Sequence, residues 1–280
     1  MSAISYRSRY PDAVATVALN GEETPSGSRS VVDRTLLILS CFHSDRERLA
    51  LSDISRITGL PIATCFRIIQ RLVEWGALER DAANRYRIGL RLWEVASLAP
   101  RSTGLQRIAR PYLLEFYEKT GYVTHLAIRE GTELVSIERF QDPRPHARTD
   151  RPLTGRRYEL HASAIGQVLL AYAPQYIRDR VLASPLTVFT PNTMVDRPTL
   201  VRVLDDIRRC GYAVTDRQVD LQHVSVAAPV RDAGGSVIAA VSLARKAEDA
   251  DQRNMIRLAR LAAAAISKAL AAAETDRRAV

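Results

Sequence analysis

Thr64, Phe66, Arg67, Gln70 and Arg71 stand on one stretch, Ile62 to Trp75. Its apolar members Cys65, Ile68, Ile69 and Leu72 share one arc when successive residues turn by about 100°. That arc faces a core. Ala63, Arg67 and Gln70 then lie opposite it, with Phe66 and Arg71 on the flanks. Arg and Gln are the types that read guanine and adenine edges with paired hydrogen bonds. Thr64, near the helix start, can bond a phosphate or a thymine-rich edge. Phe66 would be a liability as a bare surface aromatic. Arg56 lies on a short helix just upstream, and Arg85 and Arg87 lie on a hairpin just downstream, both suited to phosphates. Polar residues on one helix face need no ligand, so the weight rests on the set: helix, short helix, turn, helix and hairpin within residues 30–88.

A second place with chemistry is Ala162-Ser163-Ala164-Ile165-Gly166, the start of an apolar helix. Unpaired N–H groups and the positive end of the helix dipole favour a carboxylate there. Small residues let a ligand approach the backbone. Elsewhere the reading is negative. There is no Gly-x-Ser-x-Gly, no His-Glu-x-x-His and no glycine-rich phosphate loop, so no catalytic residues are assigned. His125, His146, His161 and His223 lack metal-site spacing, and no metal or cofactor is expected; His161 is read as a hydrogen-bonding support for the adjoining helix. Cys41, Cys65 and Cys210 read as reduced, mostly buried thiols.

The elements that must position these residues follow from periodicity and breakers. Ser30 caps a first helix with Val32, Leu36, Leu39 and Phe42 on its inner face. Ser52 caps a second, short helix with Ile54 and Ile57 inward, and Gly59 stops it. Leu60-Pro61 makes the turn into the third, which Gly76 ends. Leu78–Arg80 and Arg85–Ile88 form the hairpin, or wing, and a further helix runs from Leu90 to about Leu98. The second half reads as α+β with an antiparallel sheet. It has helices near Gln106–Thr120, Ser163–Ala171, Pro174–Leu182 and Pro198–Cys210. Strands are expected at Tyr122–Arg129, Glu133–Phe140, Tyr212–Asp216, Val224–Arg231 and Val237–Ala244. A long Ala-rich helix spans Asp249 to Ala273.

With 280 residues, two domains are expected. The organisation is a disordered arm over 1–28, a winged helix-turn-helix over 29–89, a linker helix and loop over 90–104, a second domain over 105–273 and a tail over 274–280. Net charge is +9, and apart from Lys119, Lys246 and Lys268 every one of the 40 basic residues is Arg. Planar guanidinium forks suit phosphate, although charge alone does not decide the partner. No apolar stretch reaches the roughly 18–20 residues of a membrane span. Arg7 and Arg9 precede only a short, interrupted apolar run, read as a leader without a cleavage site, and a cytoplasmic protein is expected.

Three segments of the first half carry a family resemblance: Ser30 to Leu39, Leu51 to Leu72 with its Gly59-Leu60-Pro61 turn, and Tyr86 to Leu92. In the second half the segments are His161 to Ala171, Gly211-Tyr212-Ala213-Val214 and Val226 to Asp232. Together they resemble the IclR family of transcription regulators over nearly all of residues 30–272. Ile62 and Ala63 depart from the family's polar residue and Ser after the turn, and Gln167 stands where Lys or Arg is common. The resemblance implies a GAF-like α/β sensor domain after the DNA-binding domain. It also implies a homodimer or dimer of dimers, a double-stranded DNA operator and a small organic or aromatic acid as effector. On the same basis the turn at Ser163, Ala164, Ile165 and Gly166 borders the effector pocket, joined by Thr215, Asp216, Ser225 and Ser242. Two other readings stay open: an enzyme acting on the small molecule, and an architectural DNA-binding protein.

Overall fold

A computed structural model describes residues 30–43, 46–99, 103–141 and 154–278. The expected arm, His146 and the whole Arg- and Pro-rich stretch 142–152 lie outside them. The described residues divide into two compact units, 30–99 and 103–278.

The first unit holds α1 (Val31–Leu39), α2 (Leu51–Thr58), α3 (Ile62–Trp75), β1 (Leu78–Arg80), β2 (Tyr86–Ile88) and α4 (Leu90–Ala96). Ser30 caps α1 through a reciprocal pair of bonds with Asp33. α2 starts two residues earlier than expected. Its cap is Ala50, whose N–H donates 3.3 Å to the Asp53 carboxylate reaching back from the first turn, and Ser52 is exposed. Gly59 ends α2 at φ 69°, a left-handed conformation that only glycine takes at little cost. Ile38, Cys41, Ile54, Ile57, Cys65, Ile68, Ile69, Leu78 and Tyr86 form the core. The expected inner face of α1 is corrected: Val32 and Leu36 are exposed, and Ile38 and Cys41 are buried instead. Only the C-terminal end of α1 reaches the core, so the apolar period at its start does not report burial in this unit.

The second unit holds α5 (Leu105–Thr120), β3 (Val123–Glu130), β4 (Glu133–Phe140), β5 (Arg157–Glu159), α6 (Ala164–Ala171), α7 (Gln175–Ala183), α8 (Arg197–Cys210), β6 (Ala213–Asp216), β7 (His223–Arg231), β8 (Val237–Lys246) and α9 (Gln252–Arg278). The sheet is antiparallel in the order β5-β4-β3-β8-β7-β6. β5 was not foreseen, being a three-residue edge strand with Arg and Glu at its ends. α9 begins after a 3-10 turn at Ala247–Asp249 and continues into the expected tail as far as Arg278.

Alternation along the strands sends their side chains to two cores. Leu126, Ile128, Val226, Val241 and Leu243 pack under α5 and α9. Ala127, Ala213, Ala227 and Ala240 face α6 and its neighbours. These alanines let α6 lie close, and all of its residues are buried. Gly166 belongs to the same packing, since a Cβ there would sit 2.4 Å from the Leu160 carbonyl oxygen.

Candidate functional site

α3 presents the face its sequence predicts. Cys65, Ile68 and Ile69 are buried and Leu72 packs partly against them. Phe66 is 46% exposed, Arg67 and Arg71 are exposed, and Thr64 and Gln70 are half-buried. Arg67 makes no hydrogen bond or ion pair among the described residues. The other arginines are already engaged. Arg71 pairs with Glu74 at 2.8 Å, Arg56 with Asp53 at 3.5 Å, Arg85 with Asp81 at 3.5 Å and Arg87 with Glu79 at 2.7 Å. Hydrogen bonds from Arg87 and then from the Leu90 N–H hold Glu79 below the usual carboxylate range. These pairs are exposed and worth little, so a phosphate can displace the acids. Arg48, 3.8 Å from Asp81, also stands beside the wing and was not singled out in the sequence.

The second site is a cavity of about 40 Å³ beyond the start of α6. Where the strands run out from beneath that helix, the α6-facing residues change from alanine to polar. Cross-strand register places Arg139 beside His125 and His125 beside Ser242, with Ala244, Ser225 and Thr215 in the adjoining row. Ser163, Ile165 and the Gln218–Asp220 segment with His223 complete the wall. Ser163 caps α6, its hydroxyl accepting from the Gly166 N–H at 3.2 Å. The Ala164 and Ile165 N–H groups have no acceptor among the described residues.

Of the sequence-predicted residues, the cavity gathers Ser163, Ile165, Thr215, Ser225 and Ser242. Three do not line it. Ala164 is fully buried in the core beneath the helix. Gly166 spends its small size on Leu160, and its N–H on Ser163. Asp216, exposed at the end of β6, pairs with Arg217 at 2.9 Å outside the cavity. His161 supports its surroundings in two ways: its ring bonds the Thr187 carbonyl at 2.9 Å, and its backbone carbonyl accepts from Gln167 at 2.8 Å. Cys41 and Cys65 are buried as expected, whereas Cys210 is exposed.

Sequence reasoning missed Arg139, Gln218, Asp220 and the placement of His125 and His223. The available signal was a histidine at an inward position of a buried strand. His125 is 7% exposed, and its Nε2 shares a 2.9 Å hydrogen bond with Ser136. Burial, and secondarily the Arg139 charge, push its pKa down to about 3, so its ring is neutral. Asp220 accepts from His223 at 2.8 Å and from the Gln222 N–H at 2.8 Å. The hydroxyls of Thr215, Ser225 and Ser242, and Nδ1 of His125, have no hydrogen-bond partner among the described residues. Thr215 and Ser242 are only 3% and 4% exposed. Polar groups so placed ordinarily have partners, and here they converge on one space.

Comparison with known proteins bears on both sites. The IclR helix-turn-helix domain matches residues 31–82, and the C-terminal domain of the bacterial transcriptional regulator IclR matches residues 98–272. The HTH-type transcriptional regulator XynR of Escherichia coli is 32% identical over 244 residues, 85% of this chain and 96% of XynR. The HTH-type transcriptional repressor AllR of Klebsiella pneumoniae is 31% identical over 227 residues, covering 80% of this chain and 83% of AllR. Among solved structures, an IclR homolog from Microbacterium hydrocarbonoxydans complexed with 4-hydroxybenzoate superposes with a TM-score of 0.79 at 31% identity. That match covers 87% of this chain and all of the other.

Proposed function

The chain belongs to the IclR family of bacterial transcription regulators, and from that premise we propose that its operator affinity is set by a small organic acid held in the cavity beyond α6. It is a DNA-binding regulator, not an enzyme. α3 enters the major groove with Arg67 and Gln70 on base edges and Thr64, Phe66 and Arg71 beside them. Arg56, Arg85 and Arg87 hold phosphates, and the protein works in the cytoplasm, where its operator is.

The observation that carries the effector reading is the set of unpartnered groups around the cavity: three hydroxyls, one imidazole nitrogen and the N–H of Ile165 at the helix start. A carboxylate on the Ile165 N–H at the start of α6, with further oxygens over Ser225 and Ser242, would satisfy them. The relative from Microbacterium holds a ligand of this kind, a hydroxylated carboxylate. A bound acid stabilises the protein by mass action, about 2.7 kcal/mol at a hundredfold excess over Kd. The test is a thermal-shift screen of organic acids on wild type and Ser225→Leu, whose larger side chain fills the cavity. The best acid should raise the Tm of wild type alone and change operator protection in a footprint. An equal shift in Ser225→Leu would place the effector elsewhere.

The same reading makes the protein a homo-oligomer. α4 has no buried residue, yet it and its end carry Leu90, Trp93, Val95 and Leu98, all exposed. Apolar side chains at this density mark an interaction surface. Pairing two subunits supplies the second half-site that one recognition helix lacks.

A further inference from the structure

The wall of the cavity is uneven in charge. Arg139 contributes a guanidinium to it, and its Nε is buried. Directly across the strand pair stands His125, kept neutral. The only carboxylate on the wall among the described residues is Asp220, which is tied to His223 and the Gln222 N–H. Arg139 lies on β4, and the helix start lies on α6. The cavity wall thus carries two groups from different elements that favour negative charge, together with neutral hydroxyls and an imidazole.

We propose that the effector of this chain is a short dicarboxylate, one carboxylate on the α6 start and the other on Arg139. The inference rests on the reading of this cavity as the effector site and names the class of ligand. A guanidinium has five N–H donors, so Arg139 can hold a carboxylate and a protein acceptor together. The hydroxyls of Ser225, Ser242 and Thr215 line the same cavity and accommodate either lone pairs or hydroxyl protons of the ligand backbone. The cavity is small, about 40 Å³, which favours a short chain. Val123, Ile165, Val219 and Ala244 offer aliphatic contact without an aromatic platform, which suits methylenes better than a ring.

The test is calorimetric titration of the full-length protein with malonate, succinate and glutarate, each beside its own half-amide, which keeps the shape and removes one charge. One diacid should bind wild type about tenfold or more tighter than its half-amide, the discrimination expected of a charge-assisted bidentate contact. Arg139→Gln should bring that pair to near equality by weakening the diacid while leaving the half-amide unchanged, and Arg139→Lys should restore part of the preference. Equal affinity of diacid and half-amide for wild type would overturn the dicarboxylate but leave the effector site standing. So would 4-hydroxybenzoate binding more tightly than any diacid. Absence of binding by every acid would overturn both readings.

Discussion

The face of α3 and the cavity beyond α6 are opposite solutions to recognition. α3 shows its groups to solvent, and Arg67 waits there unpaired. Its partner is large, and water serves the side chain until DNA arrives. The cavity hides its groups: Thr215 and Ser242 are almost wholly buried without protein partners. An exposed unpaired guanidinium costs the fold little, whereas a buried unpaired hydroxyl costs desolvation energy. The cavity's hydroxyls open onto its space, where a ligand can take the place of water. Ligand should stabilise the second unit, and perturbations there should register in stability before they register in DNA contacts.

Acid should expose that difference most strongly. His125 is neutral in the fold, its pKa near 3 against an ordinary 6.5. As pH falls, the unfolded chain takes up the proton first. The stability linked to His125 is therefore whole above about pH 6.5 and is lost progressively as pH falls from 6.5 towards 3, by up to about 1.4 kcal/mol per unit. His125→Gln, which keeps a partner for Ser136, should flatten this acid loss. Melting temperatures of both proteins between pH 7 and 4 check it. Parallel curves would mean that the ring takes up its proton in place without penalty.

The two regions also differ in how far a sequence discloses them. The α3 face is local: fourteen residues, one period and a Gly-Leu-Pro turn define both what is buried and what is presented. The arc Cys65, Ile68, Ile69 and Leu72 is therefore found as predicted. The cavity draws residues from five strands, one helix start and a loop, and only pairing register brings Arg139 next to His125 and Ser242. Register is not written in any single strand. Small residues were also ambiguous, since Ala164 and Gly166 read as openings for a ligand but serve the close packing of α6 on the alanine face and Leu160. Ser163 and Ile165 were found because a helix start is local too. Val32 and Leu36 misled for the reverse reason: their apolar period is real, but it faces outward from its own unit.

On the exposed side, Arg67→Ala should leave the melting temperature unchanged and cost about 1–3 kcal/mol at the operator, with far less loss on unrelated DNA. Fluorescence anisotropy on both duplexes at one salt concentration checks it. Equal losses on the two would make Arg67 a phosphate anchor and move base reading to Gln70 and its neighbours. A large fall in Tm would end the contrast drawn between the two regions.

The smallest effect sharpens the contrast within the DNA-binding face itself. Arg67 waits free, but Arg87 spends its Nε and Nη2 on the same oxygen of Glu79, at 2.9 and 2.7 Å. To reach a phosphate Arg87 must leave that partner, so the wing gives back part of each contact it makes. Glu79→Gln removes the competing charge while keeping an acceptor for the Leu90 N–H, now 3.2 Å from Oε1. Affinity should then rise by less than about 1 kcal/mol, the scale of an exposed ion pair. The rise should be alike on operator and unrelated DNA, because a phosphate carries no sequence. The salt dependence should steepen by at most about one counterion. A gain confined to the operator would show that the wing reads bases. No gain on either DNA would place Arg87 off the phosphate backbone and leave Arg85, beside Asp81 and Arg48, as the wing's contact.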